Sequence, residues 1–115
     1  MKPDDVVVAL GALAQESRLA IFRALVKRGP QGYTPGDLIE KIAIPPPTLS
    51  FHLKELQRAG LAGSRREGRF LYYSANFEAM RNLIGFLTEK CCSLSDGECD
   101  SYCVPVAATA KRKRV

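Results

Sequence analysis

Cys91, Cys92, Cys99 and Cys103 lie close together near the C-terminus, and they are the four cysteines of a 115-residue chain. A thiolate is a soft donor, so this group favours sulfur-loving elements over magnesium, calcium or manganese. Adjacent residues on a helix point about 100° apart. Fraying near Cys92 lets the two neighbouring sulfurs converge, and the stretch Ser93–Glu98 is long enough to return Cys99 to them, with Gly97 easing the reversal. Three convergent thiolates make a soft, pyramidal site. Other uses of the thiols stay open at this point: a four-thiolate zinc site, although Cys-Cys wraps a tetrahedral ion less well than Cys-x-x-Cys; a redox switch through a tail disulfide; or inert side chains. The opening Met1-Lys2-Pro3-Asp4-Asp5 lacks the basic-then-apolar order of a secretion signal. The expected compartment is therefore the reducing cytoplasm, where cysteines serve as ligands or reactive groups.

A second set of residues carries positive charge. The net charge is +5, and much of it comes from the terminal run Lys111-Arg112-Lys113-Arg114. The more informative patch is 46–74, where Lys54, Arg58, Arg65, Arg66 and Arg69 face only Glu55 and Glu67. A basic patch inside a folded region points to a polyanion such as nucleic acid. His52, the single histidine, has no second His and no acidic cluster at ligand spacing on its helix, so a hydrogen-bonding or structural role fits better than a metal. No nucleophile–base set and no phosphate-cradling glycine loop is present, which argues against an enzyme and against a catalytic cofactor. A reductase built on Cys91 and Cys92 would need an activated thiol and a cofactor or resolving partner. No apolar run approaches bilayer length.

The elements that must position these groups follow from periodicity and punctuation. One short domain fits the length. Residues 4–14 read as a helix with Val6, Val7, Leu10 and Leu13 on its apolar stripe; a second begins at a Ser17 cap, with Leu19, Phe22, Leu25 and Val26 on its buried face. Thr34-Pro35-Gly36-Asp37 is a helix start, with a Thr cap, Pro at the first position and an acid in the first turn. Pro45-Pro46-Pro47 interrupts the chain, and a fourth helix runs from the prolines to Gly60 with Leu49, Leu53 and Leu56 at helical spacing. Two short extended runs then flank Glu67-Gly68, a turn signal for a hairpin. The last helix starts near Asn76 and runs to about Lys90. Its apolar residues Phe77, Met80, Leu83, Ile84, Phe86 and Leu87 cover more than one stripe, as in a helix buried by its own core and by a partner chain.

The expected fold is mainly α with a β-hairpin wing, in the order ααααββα: a winged helix-turn-helix. In such a fold the helix 46–60 enters the major groove, offering Thr48, Ser50 and His52 as hydrogen-bonding groups, while Lys54, Arg65, Arg66 and Arg69 neutralise phosphates or reach the minor groove. Ser17-Arg18-Leu19 with Ile21-Phe22, then Ser50-Phe51-His52-Leu53-Lys54-Glu55-Leu56 followed by Ala59-Gly60-Leu61, then Arg66-Glu67-Gly68-Arg69 with Tyr72-Tyr73, together resemble the ArsR/SmtB family of metalloregulatory repressors across roughly residues 6–90. The resemblance implies a homodimer paired through its first and last helices and bound to an imperfect palindromic operator in double-stranded DNA. It also implies a division into a DNA-binding and dimerisation domain, 1–90, and a cysteine-bearing sensor segment with a basic tail, 91–115. Two familiar sensor sites of the family are missing: the Cys-x-Cys positions before the recognition helix are Thr34 and Gly36, and the last helix has no His and only Glu78 and Glu89 as acids. The cysteines resemble instead the subgroup with a vicinal pair at the end of the last helix. That likeness implies trivalent arsenic or antimony, inorganic or methylated, as effector on Cys91, Cys92 and Cys99, with Cys103 as the alternative third ligand.

Overall fold

A computed structural model describes residues 1–94. It places the elements in the order α1 (Pro3–Leu13), α2 (Glu16–Arg28), α3 (Pro35–Ile42), α4 (Pro46–Arg58), β1 (Ala62–Glu67), β2 (Phe70–Ala75) and α5 (Phe77–Leu87), the helical bundle with a hairpin wing that the sequence implies. Cys99, Cys103 and the basic run 111–114 lie outside the described residues. Among the described residues, no helix is long and apolar enough to cross a membrane.

The helix starts are set by side chains that take up otherwise unpaired amide groups. Gln15, not Ser17, caps α2: its side-chain oxygen accepts from the Arg18 amide at 2.8 Å. At α3 the Thr34 hydroxyl accepts from the Asp37 amide at 3.2 Å, and the Asp37 carboxylate accepts from the Thr34 amide at 3.1 Å, a reciprocal cap. Pro46 and Pro47 occupy the first turn of α4, where a missing N–H costs no helical hydrogen bond. Asn76 does two jobs. Its side-chain oxygen caps α5 through the Ala79 amide at 3.0 Å, and its amide nitrogen donates to Gly60 O at 3.0 Å, joining the ends of α4 and the hairpin.

Ile21, Leu25, Leu38, Leu49, Leu53, Leu56 and Leu61 are essentially sealed from solvent and form the centre of the core. The core thus holds α2, α3 and α4 together behind the outer face of α4. Leu19, expected on the buried face of α2, is exposed, and Ile21 takes its place. On α1 it is Val6 and Ala9 that turn inward. Val7, Val8 and Leu10 remain on the surface, as do Ile84 and Leu87 of α5.

The hairpin pairs Ala62 with Ala75 through Glu67 with Phe70. Its two-residue turn is therefore Gly68-Arg69, one residue later than Glu67-Gly68. Gly68, at φ +63°, supplies the positive φ that the first central position of a tight hairpin turn favours. A reciprocal pair of backbone hydrogen bonds between Tyr33 and Tyr73, 2.9 and 2.8 Å, fastens β2 to the α2–α3 connection. Gly32 makes that approach possible: at φ +78° a Cβ there would lie 2.5 Å from Tyr73 O.

The last helix is shorter than its apolar pattern suggests. Thr88 ends it, with its hydroxyl donating to Ile84 O at 2.8 Å. Lys90 and Cys92 then adopt positive φ, +56° and +61°, so the vicinal cysteines sit in a turn beyond the helix.

Candidate nucleic-acid interface

A helix buried on one side presents the residues opposite its apolar stripe. On α4 the buried residues are Leu49, His52, Leu53 and Leu56. At 100° per residue, the opposite face is centred on Pro47, Phe51, Lys54 and Arg58, with Thr48 and Ser50 on its flanks. All six are exposed. The single acid of the helix, Glu55, is paired with Arg58 at 3.0 Å, which leaves the N-terminal half of this face free of unpaired negative charge.

His52 lies elsewhere. It is only 6% exposed, three residues after Leu49 and four before Leu56, and so on the core side of the helix. Its Nδ1 lies 3.3 Å from Arg18 Nη1, and the same guanidinium donates through Nε to Ala12 O at 2.7 Å. One arginine on α2 thus ties the end of α1 to the middle of α4. Burial, and then the charge of Arg18, hold the His52 imidazole below its ordinary pKa; Glu55 opposes the shift.

The hairpin arginines divide in the same way. Arg65 is committed within the protein. It donates to Pro30 O at 3.1 Å and Gln31 O at 2.9 Å, pairs with Glu67 at 2.8 Å, and lies over the Tyr72 ring at 5.0 Å. Arg66 and Arg69 are exposed. Strand alternation puts Arg66 on the same hairpin face as Ser64, whose hydroxyl accepts from Gln57 of α4 at 3.3 Å. The wing face bearing Arg66 is therefore the one next to α4. Thr48, Ser50, Lys54, Arg66 and Arg69 are left solvent-facing, whereas His52 and Arg65 brace the elements that carry them.

Phe51 and Arg18 were not among the candidate residues drawn from the sequence. The spacing that buries Leu49, Leu53 and Leu56 also turns Phe51 outward, so the helical pattern held that signal. The partner of Arg18 is 34 positions away, and no local pattern points to it.

The Sγ atoms of Cys91 and Cys92 are 3.6 Å apart. Cys91 is exposed and Cys92 partly so. The Cys92 thiol is held above its ordinary pKa, first by its hydrogen bond with Cys91, then by partial desolvation and the neighbouring charge. Among the described residues, no three His, Cys, Asp or Glu side chains come together as a metal site.

A family model described as a helix-turn-helix domain matches residues 13–62, the segment spanning α2, α3 and α4. The nodulation protein NolR of Rhizobium meliloti is 32% identical over 91 residues, covering 76% of this chain and 72% of that protein. An HTH-type transcriptional regulator of Bacillus subtilis, YceK, is 39% identical over 77 residues, covering 66% of this chain and 76% of its own length. Among solved structures, an ArsR-like transcriptional regulator from Rhodococcus sp. RHA1 superposes with a TM-score of 0.69 at 22% identity, covering 79% of this chain and 83% of that one.

Proposed function

The chain belongs to the ArsR/SmtB-like superfamily of winged helix-turn-helix transcriptional regulators, whose members bind DNA and are not enzymes, and from that premise we propose that it is a cytoplasmic homodimeric repressor released from its operator by trivalent arsenic or antimony. The observation that carries the DNA half is the outward face of α4 lying beside the exposed arginines of the wing. The N-terminal half of α4 enters the major groove, where Thr48 and Ser50 offer hydrogen bonds to base edges and Lys54 neutralises phosphate. Arg66 and Arg69 reach phosphates or the adjacent minor groove. His52 and Arg65 serve this surface from behind it.

Residues 1–90 bind DNA and pair the subunits; 91–115 carry the sensor. Among the described residues, Val7, Val8 and Leu10 on α1 and Ile84 and Leu87 on α5 are exposed apolar side chains. Pairing two copies there gives a two-fold dimer suited to an imperfect palindrome. The adjacency of the Cys91 and Cys92 sulfurs supports a thiol sensor, since a soft trivalent ion takes two thiolates from such a pair. Cys99 supplies the third, with Cys103 as its alternative. Effector binding releases DNA only if it favours the DNA-free arrangement of the dimer. Closing a sulfur site just past α5 does this by shifting the helix that sets the spacing of the two recognition helices.

The test is a fluorescence-anisotropy titration on an operator selected from randomised duplexes, with and without arsenite, under reducing conditions. Cys91→Ser and Cys92→Ser should bind the operator normally and fail to release it; Cys99→Ser should lose most of the response, and Cys103→Ser little. Full arsenite release from the Cys91 or Cys92 variant overturns the sensor, and release by zinc alone replaces arsenic with zinc.

A further inference from the structure

Phe51 is 55% exposed at the centre of the outer face of α4, where a surface helix would ordinarily carry a polar side chain. Its neighbours on that face are Pro47 one turn before, Thr48 and Ser50 on the flanks, and Lys54 three residues on, all exposed. The ring rests at a tilt of 58° against the His52 imidazole, with centroids 5.5 Å apart. His52 is itself buried and in contact with Arg18, so the support behind Phe51 is fixed to α2. Phe51 is therefore an apolar group presented from a braced helix, in the middle of hydrogen-bonding and cationic side chains.

In the major groove the base pairs offer donors and acceptors, and one apolar feature: the C5-methyl group of thymine. A phenyl ring has no hydrogen bond to give. Placed over a cytosine or a purine edge it would desolvate polar atoms without replacing their partners, which disfavours those bases. Over a C5-methyl it buries apolar surface on both sides. We propose that Phe51 is a specificity-determining residue that recognises the C5-methyl group of a pyrimidine in each half-site, thymine in unmodified DNA. The proposal rests on α4 entering the major groove, as set out above. A methylated cytosine presents the same methyl group and is the other possible source.

The experiment compares the selected operator with duplexes in which each thymine is replaced singly by deoxyuridine, and each cytosine by 5-methylcytosine. The unsubstituted protein should lose about fourfold in affinity at one or two positions per half-site, the factor that burying one methyl is worth. Phe51→Ala should bind the parent operator more weakly and be indifferent to uridine at those same positions. Phe51→Gln should shift the preferred base there toward adenine, whose N6 and N7 a carboxamide can engage. A gain on cytosine methylation with no response to uridine assigns the methyl group to 5-methylcytosine. If the unsubstituted protein ignores every uridine and every methylcytosine, or if Phe51→Ala responds as the unsubstituted protein does, the proposal is overturned. Ser50→Ala and Lys54→Ala on the same duplexes separate the two claims. Weakened binding there with unaltered methyl sensitivity in Phe51→Ala removes Phe51 alone, whereas full affinity in both variants removes α4 from the groove and the proposal with it.

Discussion

The guanidinium of Arg18 carries only donors, so its contact with His52 Nδ1 at 3.3 Å requires that nitrogen to accept and the imidazole to be neutral, with its proton on Nε2. Protonation would set a donor against a donor and a charge against a charge in a buried setting, which is why burial and Arg18 depress the His52 pKa. The sign of the linkage follows. Below about pH 6.5, where a free imidazole titrates, the unfolded chain binds a proton that the folded chain resists, so stability falls as pH falls. Acidification from pH 7.5 to 5.5 should therefore lower the thermal midpoint. His52→Asn keeps an acceptor near Nδ1 and cannot titrate, so it should flatten that dependence. Equal slopes in the two proteins, measured by circular dichroism melts, would remove His52 as the titrating group. Operator affinity should follow the same pH trend, because the Arg18 contact sets where α4 sits.

The hairpin is an element whose position depends on contacts outside itself. Two strands alone are only marginally stable; here Tyr33 pairs with Tyr73, and Arg65 reaches the carbonyls of Pro30 and Gln31. The wing arginines consequently separate into one held by the protein and two left to solvent. Arg66→Ala and Arg69→Ala should each reduce the log–log salt slope of operator binding by about one, with little effect on the fold. Arg65→Ala should weaken binding by loosening the wing: faster amide exchange at Tyr33 and Tyr73 with a nearly unchanged salt slope. A salt slope reduced by Arg65→Ala as much as by Arg66→Ala would make Arg65 a phosphate contact instead.

At the scale of the whole molecule, the described residues leave apolar side chains exposed on α1 and α5. Val7 is 69% exposed and Leu87 58%, and burying such a side chain is worth about 1.5–3 kcal/mol. The proposed dimer would remove this surface from water, a burial that matters most in short chains, whose cores are small. Leu87→Asp should shift the protein toward monomer in sedimentation-velocity runs at micromolar concentration. It should also lower affinity for the full palindrome far more than for a half-site. A Leu87→Asp protein that remains dimeric would place the subunit interface on another face.

The order of elements was legible in the sequence because it depends on local physics. The Thr34 cap, the prolines opening α4, the glycine at the hairpin turn and the 3.6-residue spacing of Leu49, Leu53 and Leu56 each act within a few residues. The same spacing also encoded the burial of His52 and the exposure of Phe51, since both follow from their offsets along α4. What tertiary structure decided were contacts between segments distant in the chain. Arg18 meets His52, and Arg65 meets the Pro30 and Gln31 carbonyls, so two side chains expected at DNA have partners inside the protein. The surface proposed to meet DNA is what the core and these internal contacts leave facing solvent. A long cationic side chain such as that of Arg65 reads alike in sequence whether it spends its donors inside or outside, because its hydrogen-bond partners are set by the packed chain.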